Sequence, residues 1–280
     1  MKIDVAVMTY NSAKHLEESL VSLEKAIPIN RLIVVDHHSK DGTVEIAERH
    51  NAQIYQEDVG LGYARQLAIS KIETPIFYFH DSDVIYYSPF GWVKEAINKL
   101  LENEQLASVV AKVSHADYPS PRAKYIRFWW KHVPTLQTRG FACGSAFIKL
   151  DSVKDVKIPK WLDAREDGFL ELHILHKKLK VHYIKVNGVH LFVYSEKGSW
   201  AGANERLLTG LTTLPFTLVR RILTAPFKAI PPMFVYKDPS ILFWNTKHWW
   251  NYLRGFLMPH KYRKLKREME DKEARIRIHV

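Results

Sequence analysis

The sequence predicts an α/β fold, a mostly parallel sheet flanked by helices, followed by a basic and aromatic-rich helical extension. Short apolar runs alternate with helical patterns through the N-terminal half, which is the signature of βα units. Each run ends in polar or acidic residues that open a loop, and in such sheets ligands bind beyond the carboxyl ends of the strands. The residues after 210 then hold fourteen Lys and Arg against five Asp and Glu, a net of +9 within +11 for the whole chain. With 280 residues the chain is long for one α/β domain and short for two. The expected organisation is a first domain over 1–210 and an amphipathic extension over 211–280.

The elements follow in order. Ile3 to Met8 reads as a strand, and Thr9-Tyr10-Asn11-Ser12 breaks it before a helical pattern through Leu16, Leu20 and Leu23. Leu32 to Asp36 repeats the plan, with Ser39 to Thr43 as the turn and a helix through Val44, Ile46 and Ala47. Ala52 to Tyr55, a Gly60-Leu61-Gly62 loop and a helix from Tyr63 to Ser70 lead to the strand Pro75 to His80. A helix near Trp92 to Glu102 and a strand near Ala107 to Val113 come next. Residues 115–139 have a different composition, mixing Arg122, Lys124, Arg127 and Lys131 with Tyr125, Phe128, Trp129 and Trp130. A strand around Ala146 to Lys149, a helix opened by Arg165-Glu166-Asp167-Gly168, and strands at Val181 to Val186 and Val189 to Val193 complete the domain.

Asp81-Ser82-Asp83 ends the strand that begins at Pro75. Where a chain leaves a sheet its strict alternation relaxes, so two carboxylates one residue apart can both face a crevice. Oxygen ligands suit Mg²⁺ or Mn²⁺, which such sites share with substrate phosphates. An ordinary strand-ending turn is the plain alternative, because Asp and Ser are common turn residues.

Five ordered motifs give a more specific reading. Thr9-Tyr10-Asn11, Val35-Asp36-His37-His38-Ser39-Lys40-Asp41-Gly42-Thr43, the run Gly60 to Ala68, Asp81-Ser82-Asp83 and Arg165-Glu166-Asp167 together resemble a family 2 glycosyltransferase of the GT-A fold. They stand for that family's VDDGSTDGT, GxxxARNxG, DxD and Glu-Asp motifs over roughly residues 1–200. His37 and His38 replace the second Asp and the Gly, Gln66 replaces the Asn, and Lys149 stands where Arg is frequent. The resemblance implies a UDP- or GDP-sugar donor and a divalent cation. It implies that Asp36 reads the nucleobase, with Thr9, Tyr10 and Asn11 lining the same pocket and Arg65 facing the base or diphosphate. Asp81 and Ser82 then lie toward the ribose or sugar, Asp83 and His190 hold the metal, and Lys197 and Trp200 close over the diphosphate. Asp167 is the expected base of an inverting transfer, with Glu166 assisting; adjacent helix positions diverge by about 100°, so the two cannot address one atom.

From Leu211 to Met258 aromatic residues interleave with cations, and six prolines from Pro215 to Pro259 cut the pattern into short segments, which is the composition of an interfacial anchor. The cluster from Lys261 to Arg267 adds attraction to anionic lipid. The expected partners are therefore a membrane surface and a lipid-linked acceptor approaching past Arg122, Lys124, Arg127, Trp129, Trp130 and Lys131. A packed helical subdomain is the other reading of the tail. No nucleic-acid module is recognisable, so nucleic acid is not expected as a partner. The single Cys143 excludes a disulfide framework, the N-terminus lacks signal-peptide composition, and no run of about 18 apolar residues occurs. These point to the cytoplasmic membrane face. A sugar-nucleotide pyrophosphorylase shares the α/β plan but begins with a Gly-rich loop that Thr9 to Ser12 lacks. A non-enzymatic membrane scaffold would leave the acidic motifs without a role.

Overall fold

The computed structural model describes residues 1–113, 120–133, 144–160, 162, 166–191, 202 and 216–258. The N-terminal strands are β1 (Ile3–Thr9), β2 (Ile29–Asp36), β3 (Gln53–Gln56), β4 (Ile76–Asp81), β5 (Val84–Tyr86) and β6 (Leu106–Val113). After them come β7 (Ser145–Lys149), β8 (Lys180–Val186) and β9 (Gly188–His190). Seven of these form one sheet in the order β3-β2-β1-β4-β7-β6-β8. β7 runs antiparallel to β4 and β6, and the other neighbours are parallel. The central strands are buried on both sides, which explains their near-continuous apolar runs. Alternate residues feed two cores: Val5, Val7 and Tyr78 pack on one face, and Ala6, Phe77 and Phe79 on the other.

The first face is covered by α1 (Ala13–Ala26), α2 (Thr43–Arg49) and α4 (Gly91–Glu102) through Leu16, Leu20, Leu23, Ala47, Trp92 and Leu100. The second is covered by α3 (Leu61–Lys71), α6 (Leu150–Val153) and α7 (Glu166–His176) through Ala64, Ala68, Val153, Leu170 and Ile174. β5 and β9 form a separate antiparallel ribbon that pairs Val84 with His190.

α5 (Pro121–His132) starts at Ser120, whose Oγ accepts from the Ala123 amide at 3.1 Å, with Pro121 in the first turn. It carries the helical hairpin α8 (Phe216–Val235) and α9 (Ser240–Leu257). The expectation of short, proline-cut segments is corrected here: α8 runs for 20 residues with Pro226, Pro231 and Pro232 inside it. A helical proline leaves the carbonyl four residues earlier without its usual donor. For Pro232 that carbonyl belongs to Lys228, and the Trp129 indole Nε1–H of α5 donates to it at 3.1 Å. Leu218, Ala225 and Ala229 are buried along the inner stripe of α8, and Asn245 Nδ2 of α9 donates to the Ala225 carbonyl at 2.6 Å. A tertiary contact thus offsets what Pro232 removes. The boundary expected at 210/211 falls within 203–215, outside the described residues.

Candidate active site

The carboxyl ends of β3, β2, β1 and β4 form one rim, and β7 and the β5–β9 ribbon complete it. Asp81 closes β4 opposite the start of β7, so its amide donates to the Gly144 carbonyl at 2.9 Å. A Cβ at Gly144 would lie 1.7 Å from Asp81 Oδ2, so only glycine admits the carboxylate at this place. Two residues on, Asp83 meets β9: its carbonyl accepts from the Leu191 amide at 2.8 Å, and its Oδ1 lies 2.9 Å from His190 Nε2. Asp81, Asp83 and His190 bring one potential ligand atom each within 4.8 Å of one another. Two carboxylates and an imidazole are the hard and borderline donors that fit Mn²⁺ or Mg²⁺. Beneath them His80 is fully buried, with Nε2 2.7 Å from Ser19 Oγ, and burial pushes its pKa down to about 3, so it packs as a neutral ring.

Arg65, expected toward the base or diphosphate, is placed between the carboxylates of Asp81 and Glu166. It is buried, its Nε donates to Glu166 Oε1 at 3.0 Å, its second nitrogen lies 3.6 Å from Asp81 Oδ1, and its guanidinium stacks over Phe79. The cation therefore joins the metal-side carboxylate to the start of α7 as a positioning residue. Sequence held the signal, because Gly62, Arg65, Ala68 and Ile69 form the inward stripe of α3 at helical spacing.

The Glu166-Asp167 pair is divided by the helix. Glu166 is buried against Arg65; burial pushes its carboxyl up to about 7, Arg65 pulls against that rise, and Asp167 adds to it. Asp167 is half-buried, and its Oδ1 accepts from the Gly168 amide at 2.6 Å. Lys112 on β6 stands near it: burial lowers the ammonium pKa while Asp167 and Glu171 raise it, and the Tyr183 ring lies 5.2 Å away.

The nucleobase side also needs correction. Asp36 is completely buried, and its carboxylate accepts from Thr9 Oγ1 at 2.8 Å, the Ser39 amide at 2.8 Å and Ser39 Oγ at 2.5 Å. Thr9 and Asp36 thus tie the ends of β1 and β2 together. Asn11 does the same work one loop out, since its amide donates to Ser39 Oγ and its Oδ1 accepts from the Lys40 amide. Tyr10 and Ser82 face the open side; Ser82 Oγ donates to Ser12 Oγ at 3.1 Å, knitting the loop after β4 to the loop after β1.

Of the residues expected along the acceptor path whose side chains the structure describes, Arg122 is the one that feels the Asp83 carboxylate of the metal cluster. Burial lowers its guanidinium pKa, and the nearby Asp83 carboxylate opposes this. Lys124 pairs instead with Asp238 at 2.7 Å, Arg127 lies over the Tyr236 ring, and Trp129 donates to Lys228. These three bind the hairpin, because the face of α5 that carries them packs on α8 and α9. Lys131 is exposed at the end of α5, while the Trp130 side chain, Lys197 and Trp200 lie outside the described residues.

The sequence profile of glycosyl transferase family 2 matches residues 4–152, more than half of the chain. The chain belongs to that family. Among curated proteins, this family 2 glycosyltransferase is 33% identical over 93 residues to the uncharacterized glycosyltransferase YfnE of Bacillus subtilis, covering 30% of the chain and 24% of that protein. It therefore spans about a quarter of that relative's length. Glucosyl-3-phosphoglycerate synthase from Mycobacterium tuberculosis, solved with Mn²⁺, UDP and glucosyl-3-phosphoglycerate, superposes with a TM-score of 0.54 at 17% identity. That match covers 76% of this chain and 81% of the other, and the same enzyme has been solved with Mg²⁺ and UDP. S. aureus TarS superposes with a TM-score of 0.54 at 20% identity over 84% of this chain and 44% of its own. At these identities the likeness establishes the architecture, the mostly parallel GT-A sheet flanked by helices that the five motifs predicted.

Proposed function

We propose that the chain is a divalent-cation-dependent, inverting glycosyltransferase that moves a sugar from a UDP- or GDP-sugar to a lipid-linked acceptor at the cytoplasmic face of a membrane. The observation that carries the chemical half is the separation of two carboxylate groupings on one crevice. Asp81, Asp83 and His190 would hold Mn²⁺ or Mg²⁺, while Asp167 stands apart at the start of α7. A cation held there supplies charge neutralisation to the diphosphate leaving group. Asp167 takes the acceptor hydroxyl proton as that oxygen attacks the anomeric carbon from the side opposite the nucleoside diphosphate. Glu166, held by Arg65, fixes where α7 begins and so where Asp167 points. Membership of family 2 removes the support for a pyrophosphorylase. The experiment is calorimetry of UDP and GDP with and without Mn²⁺: Asp83→Ala should abolish the metal-dependent part of the affinity in a folded protein. Unchanged affinity would withdraw the metal assignment, and absence of any nucleotide binding by the wild type would favour a scaffold.

The membrane half rests on the hairpin. Phe216, Leu223, Phe227, Ile230 and Phe234 are exposed on α8, and Phe243, Trp250 and Leu257 on α9, each set at helical spacing along one stripe. Arg220 falls within the first stripe, Lys247 and Arg254 within the second. The sole carboxylate between 216 and 258 is Asp238, and Lys124 engages it. Apolar stripes carrying cations suit the headgroup region of an anionic bilayer. Among the described residues no helix is long and apolar enough to cross one.

A further inference from the structure

Two serines interrupt the inward apolar stripe of α1: Ser19 and Ser22 are buried among Leu16, Leu20 and Leu23. Buried hydroxyls need partners, and theirs lie on the β5–β9 ribbon. Asp83 and Tyr87 bond to β9 through the Leu191 amide and the Asn187 carbonyl, so the backbone groups of Val84 and Tyr86 point the other way, toward α1. There Ser19 Oγ donates to the Val84 carbonyl at 2.8 Å, and Ser22 Oγ accepts from the Tyr86 amide at 3.1 Å. Two strands of three residues each are marginal by themselves, and these bonds seat them on the domain.

Ser19 has a second partner. Because a carbonyl can only accept, the hydroxyl proton goes to Val84, and the same oxygen accepts from His80 Nε2–H at 2.7 Å. The Asp81 carbonyl lies 3.4 Å from it. One hydroxyl therefore touches the chain on both sides of the acidic loop, at His80 and Asp81 in the sheet before it and at Val84 in the ribbon after it. The three potential metal ligands are divided in the same way. Asp81 ends β4 of the main sheet, whereas Asp83 precedes β5 and His190 ends β9. Pairing within the ribbon sets Asp83 against His190 and leaves Asp81 to be placed by whatever joins ribbon to sheet.

We infer that Ser19 is a positioning residue of the metal centre, fixing the separation of Asp81 from Asp83 and His190 by bonding sheet and ribbon with one hydroxyl. This rests on the cation reading above and adds to it a residue that touches neither cation nor substrate. Ser22 grips the same ribbon at Tyr86, opposite Gly188 and at the end remote from His190. It supports the ribbon without setting the ligands.

The test is Mn²⁺ titration of the full chain, followed by the electron paramagnetic resonance of the free ion, with Mn²⁺ alone and with UDP or GDP added. Ser19→Ala removes both bonds and should weaken Mn²⁺ binding by about tenfold or more, the scale on which residues behind a metal's ligands act. Ser19→Cys places a weak donor in nearly the same volume, should fall between, and carries the test if Ser19→Ala does not fold. Ser22→Ala removes a bond of the same kind and should leave Mn²⁺ affinity near the wild-type value; thermal melts check that each variant is folded. Affinity that is unchanged in a folded Ser19 variant, or that falls equally in Ser22→Ala, overturns the assignment and leaves the cation reading intact. A wild type that binds no Mn²⁺ under any of these conditions overturns the cation reading, and the role of Ser19 falls with it.

Discussion

Glu166→Gln isolates the balance between burial and ion pairing at the heart of the site. Burial moves the Glu166 carboxyl from its ordinary 4.5 up to about 7, against the pull of Arg65. A group that holds its proton more tightly when folded contributes its full stability below pH 4.5 and loses it as pH rises to about 7. At about 1.4 kcal/mol per pH unit, that rise is worth about 3 kcal/mol across the window. The amide is neutral throughout and makes no such contribution. Urea unfolding of metal-free protein at pH 4.5 and pH 8 should therefore show the wild type losing about 3 kcal/mol relative to Glu166→Gln. With slopes of about 1–3 kcal/mol per molar urea, the midpoints separate by about 1 M or more. A difference between the two proteins that does not change with pH would mean that Arg65 keeps Glu166 ionised throughout, and would refute the reasoning.

Other variants probe the remaining parts. Asp167→Asn should retain Mn²⁺-dependent nucleotide binding and lower kcat by about 10²- to 10⁴-fold, read by transfer or donor-hydrolysis assays. Gly144→Ala brings a methyl against Asp81 and should weaken metal affinity by about 10- to 100-fold with the melting curve little changed, measured by Mn²⁺ titration. Phe227→Ser with Trp250→Ser alters outward side chains only, and should cut flotation with anionic liposomes at least about tenfold while leaving nucleotide binding intact. Salt should weaken but not abolish wild-type flotation, since ions screen the cations and not the rings.

The strands β1, β2 and β4 could be read from sequence because residues buried on both faces leave an uninterrupted apolar run, and Asp81 and Asp83 stood out because they end such a run. His190 was legible only through the resemblance to the family, which places a metal-binding histidine there. What brings it to Asp83, the Val84-Ile85-Tyr86 strand, was not read, although its β-branched and aromatic residues carried a strand signal immediately after the acidic motif. Which of two neighbours faces the crevice was hidden at strand ends, because alternation relaxes where the chain leaves the sheet: Asp36 turned in and His37 out. The ion pairs of Arg65 were hidden for another reason. A charged residue on an inward stripe is tolerable only if carboxylates await it, and those come from β4 and α7, far along the chain. The residues of α5 were read as a binding surface because composition cannot tell an aromatic, cationic face that meets substrate from one that meets another helix.

The bond from Trp129 to Lys228 has a geometric consequence. Sliding α8 by one turn along α5 would leave the carbonyl ahead of Pro232 without a donor and would draw Asp238 away from Lys124. An apolar contact alone would allow several registers at similar cost; two polar contacts select one. The plane defined by the exposed stripes of the hairpin therefore has a single inclination to the crevice. Because Arg122 opens the same helix that Trp129 helps to seat, the tilt of the hairpin's exposed stripes relative to Asp83 is set within one element, α5.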